Sequence, residues 1–160
     1  MQNSWLIRAG ENGMYVSDFL ASGIVGIECK FIKIVEKKLQ REEIYKLYTV
    51  ADPVFGMMKA RNKVTQIDRF INKVRIDDIV LCYMAEKRTY YVGHVKSDVF
   101  WKENMLPPLS CYRYVAWERE ISRDDIKSRR LGSLGAPLTI FGVNPEIHKI
   151  ILKNAKPIKK

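Results

Sequence analysis

The sequence predicts an α+β fold: a small, strongly curved β-sheet or barrel flanked by helices. Two observations carry this expectation. The order of elements is strand, helix, strand, two helices, then mostly strands, with strand-length apolar or alternating runs concentrated between residues 75 and 120. The chain has 160 residues, 47% of them hydrophobic and 29% charged, which suits one domain with a real core. We therefore expect a single domain over 1–155 and a frayed basic tail, KPIKK, over 156–160.

The elements follow in order. Residues 4–9 (SWLIRA) read as a strand. The stretch 15–23 (YVSDFLASG) fits a short helix, with Ser17 as N-cap and Gly23 as its stop. Residues 24–32 (IVGIECKFI) form a β-branched run, in which Gly26 permits close backbone approach. Residues 36–48 are helical in spacing, with Leu39, Ile44 and Leu47 on one stripe. The Pro/Gly-broken stretch 51–64 reads as a basic loop, and 64–74 as a helix turning Ile67, Phe70, Ile71 and Val74 inward. Strands are expected at 75–84, 89–100 and 111–120, with a loop at 101–110 marked by Pro107-Pro108. A capped short helix and turn (121–134), a strand (137–143) and a terminal helix (144–154) complete the chain.

Charge narrows the function. There are 28 Lys and Arg against 18 Asp and Glu, a net +10. The excess is uneven, at 0, +5, −1 and +6 over residues 1–35, 36–75, 76–120 and 121–160. Localised basic zones suit a polyanion such as nucleic acid, although solubility alone also favours net charge. The start of the chain lacks a signal-peptide pattern, and no apolar run reaches the roughly 18 residues of a membrane span. The expectation is a cytoplasmic protein. Cys29, Cys82 and Cys111 are odd in number and never form CxxC, so they read as three small thiols. No cofactor or metal is implied.

Catalytic patterns are weak. No GxSxG elbow accompanies His94 or His148, and LGSLGAP (131–137) lacks a following Lys-Ser/Thr. Asp77-Asp78 suggests a metal-dependent nuclease, but such a pair more often opens a strand. Among the tryptophans, Trp117 shares a face with Val115 and reads as core, and Trp5 as half core. Trp101 stands among polar residues, either as a lid over local core or as a stacking surface for a flat ligand.

The ordered set WLIRAGENG, FLASGIVGIE, QIDRFINKVRIDDIVLCY, YYVGHV, YRYVAWE and ISRDDIKSRRLGSLGAPLTIF resembles the N-terminal domain of Mrr-like and McrB-like restriction proteins. That domain belongs to the PUA-like superfamily, with the EVE and YTH domains. The resemblance spans about 4–143 and implies a curved barrel that takes one base of a nucleic acid into a pocket. Relatives read methylated or hydroxymethylated cytosine or N6-methyladenine by base flipping, and deliver a separate nuclease or motor subunit to modified double-stranded DNA. Carried over by position, it implies pocket roles for Asn12, Ile27, Glu28 and Trp101. YTH readers have a cage tryptophan where this chain has Ile27. Chemistry adds Asp98, like Glu28, as an acceptor for an exocyclic amine. Arg8, Lys59, Arg61, Lys63, Arg129 and Arg130 are the expected phosphate contacts. The chain is thus expected to be non-catalytic; the alternatives are an RNA-binding PUA-like module or a small nuclease using Asp77 or Asp78.

Overall fold

A computed structural model describes residues 2–29, 39–51, 57–136 and 138–159. It is α+β, a strongly curled mixed sheet with helices packed against it. The strands are β1 (Ser4–Ile7), β2 (Ile24–Ile27), β3 (Ile79–Met84), β4 (Thr89–Val95), β5 (Phe100–Leu106), β6 (Leu109–Ser122), β7 (Ile140–Gly142) and β8 (Lys156–Pro157). The helices are α1 (Val16–Ser22), α2 (Arg41–Ala51), α3 (Met57–Asp68) and α4 (Pro145–Asn154). The sheet order is β2-β6-β4-β3-β1-β7, with β5 and β8 also paired to β6. β1 and β3 run parallel, and the other pairs are antiparallel.

β6 causes the curl. At residues 111–112 it is flanked by β2 and β5, and at 119–120 by β4 and β8. Between these stretches the register with β4 slips at Val92/Gly93, so that Glu118 is the extra residue of a bulge. A bulge bends its strand and adds twist, which lets one strand serve two sheet regions. Alternation along the strands then feeds two cores. Ile7, Val80, Cys82 and Tyr91 join the larger cluster with α1 and α3, whereas Leu6, Ile79, Leu81 and Tyr90 pack with Ile147 and Ile151 of α4. A sheet covered on both faces needs strands apolar throughout, hence the unbroken IVLC at the start of β3.

Several expectations hold. Gly23 closes α1 in the left-handed region, and a Cβ on Gly26 would meet the Tyr112 ring at 2.6 Å. Ile67, Phe70, Ile71 and Val74 are buried. Trp5 and Trp117 pack against the core while half-buried, and the terminal helix forms as α4; the structure adds that Asn144 caps it by accepting the Glu146 amide.

Others are corrected. Residues 57–64 are helix, because Ala60 and Val64 extend the buried stripe of Ile67 and Ile71 upstream; 52–56 of the expected loop lie outside the described residues. The inner stripe of α2 is Ile44 and Tyr48, four apart, and Leu47 is exposed. The expected helix start at 36–38 and strand end at 30–32 lie outside the described residues. Ser17 lies inside α1 rather than capping it, because the Tyr15 amide is already anchored on the Ala9 carbonyl at 2.8 Å. Residues 121–134 hold two short 3-10 turns rather than a helix, the first capped by Ser122. Residues 101–110 are not a loop: they form most of β5 and the start of β6, joined at Pro107-Pro108. β5 was invisible to pattern because its polar middle, Lys102 to Asn104, is exposed and the backbone of β6 holds its ends. The start of the tail does not fray, since Lys156 and Pro157 pair with β6.

The cysteines are also corrected. Cys29 and Cys111 form a disulfide, with Cα atoms 6.1 Å apart, and Cys82 is a buried thiol. Eighty-two residues separate the bridged pair, so only the docking of β2 on β6 brings them together. Among the described residues no helix is long and apolar enough to cross a membrane.

Candidate functional site

β1 delivers its last residues to the centre of the site. Just beyond it, the exposed Arg8 is held at three points: its amide donates to the Thr139 carbonyl at 2.8 Å, Nε to the Leu138 carbonyl at 3.0 Å, and Nη2 to the Ala136 carbonyl. Two of the five guanidinium N–H groups are thereby used for positioning, and three remain for a ligand. The chain then turns sharply through Asn12 (φ 55°) and Gly13 (φ 76°). Gly13 lies against β3, where a Cβ would come within 2.4 Å of the Tyr83 carbonyl oxygen. Both the left-handed conformation and the contact demand glycine.

Two hollows meet at Arg8 and Gly10. The first, about 180 Å³, is bounded by Asn12 and Gly13 on the turn, Tyr83 of β3 and Leu134 of the second 3-10 turn. The second, about 250 Å³, has aliphatic lining from Ile27, Ile67 and Leu109 and carries Arg8, Glu11, Glu28 and Lys63 with their charges. Gln66 lines it too; its Oε1 accepts the Ile140 amide at 2.8 Å, which leaves the amide nitrogen as donor. The second hollow thus combines an apolar lining, two cations, two carboxylates and an amide. Such a mixture suits a small polar molecule that both donates and accepts hydrogen bonds.

The wall bearing Ile27 and Glu28 is braced. Cys29 follows directly, and its disulfide partner Cys111 sits opposite Ile27 in the β2–β6 register. On the same face, Arg113 is only 2% exposed, yet among the described residues no carboxylate pairs with it. Its Nε, Nη1 and Nη2 donate to the carbonyls of Phe70, Ser97 and Ile71 at 2.9, 3.0 and 3.1 Å, and its guanidinium lies 5.7 Å from the centre of the Phe70 ring. Burial lowers its pKa to about 10, against the opposing charges of Asp98 and Asp78. Arg113 fastens the end of the α3 segment to β6, and so sets where Lys63, Gln66 and Ile67 stand.

The expected site residues divide. Arg8, Ile27, Glu28 and Lys63 meet in the second hollow, and Asn12 lines the first. Trp101 lines neither: it is half-buried in β5, opposite Cys111, on the core. Its Nε1 is buried with no hydrogen-bond partner among the described residues. Ile27, Cys111 and Trp101 form one row across three strands, with the disulfide-bonded cysteine between the other two. Asp98 is exposed in the β4–β5 turn, where its charge acts on Arg113. Lys59 is exposed one turn before Lys63 on α3, while Arg61 lines a different groove, against α2. Arg129 and Arg130 are exposed just before the turn that carries Leu134. Sequence reasoning missed Gln66, Leu109, Leu134 and Thr139. Only the glutamine on the buried side of a helix carried a signal.

The acidic pair is structural in its contacts. Asp78, 2% exposed, accepts the Asn3 amide on Oδ1 at 3.0 Å, and on Oδ2 the Trp5 indole at 3.0 Å and the Arg75 amide at 2.9 Å. Asp77 stands in the left-handed region and pairs with Lys96 at 3.8 Å. Among the described residues no three His, Cys, Asp or Glu side chains are grouped to hold a metal ion.

Residues 5–141 match the model of a family described as "Domain of unknown function (DUF8426)", and the chain belongs to that family. No curated protein matches it. Among solved structures it is similar to the NMR structure of Rpa0253 from Rhodopseudomonas palustris, with 13% identity and a TM-score of 0.49 over 94% of this chain and 91% of that one.

Proposed function

We propose that this domain is a non-catalytic nucleic-acid reader that admits one base, swung out of the strand, into the hollow beside Arg8. The observation that carries this reading is the convergence of Arg8, Lys63, Glu11 and Glu28 on a hollow lined by Ile27, Ile67 and Leu109. At about 250 Å³ it is smaller than the roughly 300–1,000 Å³ of sites for drug-sized ligands. That scale suits one base rather than a longer stretch of chain. Glu28 supplies an acceptor for an exocyclic amine, as carboxylates do for cytosine N4. Arg8 and Lys63 supply cations for the flanking phosphates. Extrusion costs a few kcal/mol, which burial of the base and phosphate contacts offset. In this reading the lining is aliphatic, and Trp101 contributes to the sheet behind it.

The finer proposal is that the base is modified and lies in double-stranded DNA, and that a nuclease or motor on another domain or subunit acts on what this domain finds. A panel of short duplexes, each carrying 5-methylcytosine, 5-hydroxymethylcytosine or N6-methyladenine, tests it beside plain DNA and structured RNA at one salt concentration. One modified duplex is expected to bind best, and Glu28→Gln to abolish that preference. Arg8→Ala and Lys63→Ala should each weaken all duplexes alike and reduce the salt slope by about 0.9. Equal affinity across the DNA panel removes the modified-base reading, and preference for structured RNA moves the function to RNA.

A further inference from the structure

The polar side of α2 and the outer side of α3 form a further groove that the base site does not use. Arg41, Glu42, Tyr45 and Lys46 stand at positions i, i+1, i+4 and i+5 of α2, so they share one helical face. With Arg61 of α3 they line a groove of about 340 Å³. Arg41, Lys46 and Arg61 are exposed, and Tyr45 is half-buried with its ring against the core. Among the described residues three cations thus line the groove with one aromatic ring, and Glu42 is its single carboxylate. Among the described residues no ion pair joins Glu42 to any of these cations.

We propose that this groove takes an unpaired stretch of the bound nucleic acid, beyond the duplex that holds the extruded base, with one nucleotide lying on the Tyr45 ring and its phosphates against Arg41, Lys46 and Arg61. The inference rests on the nucleic-acid reading of the Arg8 hollow and adds to it the path of the bound strand. α3 supplies the connection. Lys63 lines the base hollow and Arg61, two residues earlier, lines the groove, so one helix presents cations to both. Residues two apart on a helix point to different sides, as these do. A basic channel interrupted by an aromatic ring is the pattern of single-strand binding, where the ring accepts any base face and the cations follow the backbone. Three cations to one carboxylate among the described residues also suit a phosphate chain better than a neutral partner.

The test uses the intact protein and labelled single-stranded oligonucleotides of about 4 to 16 nucleotides. Their affinity is read against salt and length, beside poly-glutamate as an acidic polypeptide. For wild type, affinity should rise with length beyond a single nucleotide. In Arg41→Gln/Arg61→Gln the salt slope should fall by about 1.4, at roughly 0.7 per lost contact on a single strand. The length dependence should flatten with it. Tyr45→Phe should bind as wild type, and Tyr45→Leu, which keeps the bulk that packs on the core, should lose about tenfold. Circular dichroism and melting confirm that each variant is folded. An unchanged slope in the folded double variant, equal binding by Tyr45→Leu and wild type, or tighter binding of poly-glutamate than of the oligonucleotides would each overturn the groove assignment. Failure of the base reading is distinguishable. In that case Glu28→Gln leaves duplex preference unchanged while the groove variants still alter slope and length dependence.

Discussion

The Arg8 guanidinium donates through Nε to the Leu138 carbonyl at 3.0 Å, although 130 residues separate the two. Through this contact and that to Ala136, the first strand and the segment before β7 jointly hold one cation at the junction of the two hollows. Arg8→Ala should therefore weaken nucleic-acid binding and also lower stability by about 1 kcal/mol. Arg8→Lys retains the charge but not the fork, so it should recover part of the salt dependence and none of the stability. Melting curves and salt titrations of both variants separate the two effects.

Arg113 is a larger structural commitment. Its removal leaves the carbonyls of Phe70, Ile71 and Ser97 without their donor. Arg113→Met should cost about 3 kcal/mol or more in urea unfolding, because buried acceptors lose both water and partner. Lysine should not rescue it, since one ammonium cannot span three carbonyls in a fixed plane. A loss below about 1 kcal/mol would show that the guanidinium does not brace α3.

Asp78 separates structure from catalysis. Because its oxygens hold the Asn3 and Arg75 amides and the Trp5 indole, Asp78→Asn should lower the Tm and shift the tryptophan emission. Asp77→Asn, at an exposed position, should leave the Tm within about 0.5 kcal/mol equivalent of wild type. Magnesium-dependent cleavage by wild type that Asp77→Asn abolishes without loss of stability would restore the nuclease reading.

The Cys29–Cys111 disulfide closes a loop with a sequence separation of 82. Chain-entropy reasoning gives it about 4 kcal/mol, so Cys29→Ser/Cys111→Ser should lose stability on that scale. The effect on binding should concentrate on Ile27 and Glu28, the adjoining wall of the hollow. Reductant-dependent melting of wild type, compared with the double variant, measures it.

Cys82 is expected to be inert. Its Sγ–H donates to the Ile7 carbonyl at 3.1 Å, and burial pushes the thiol far above its ordinary range. Below the unfolded-chain value of about 8.5 both states keep the proton, and the full stability contribution is present. As pH rises further, the unfolded chain ionises while the native thiol does not, and that contribution is progressively lost. Alkylation of native protein should consequently stay slow through pH 9 and become fast in denaturant. Rapid labelling of the native state would contradict this burial.

What could be read directly was whatever depends on near neighbours in the chain. The inward stripe of Ile67, Phe70, Ile71 and Val74, the stop at Gly23 and the uninterrupted apolar start of β3 follow from helix and strand periodicity, and so does the α+β class. Of the site, Arg8, Ile27, Glu28 and Lys63 were named from the sequence and do converge. Pattern failed where pairing replaced periodicity. β5 exists because β6 offers it a backbone edge, and Lys156-Pro157 for the same reason.

Tertiary structure alone decided that Cys29 meets Cys111 and that Trp101 stands behind a disulfide rather than over the hollow. Each of these depends on which segments dock, and docking follows the free energy of burying whole faces together. A residue's own neighbours in sequence carry almost no record of that choice. The residues that surround a bound group therefore come from stretches that share no local signal.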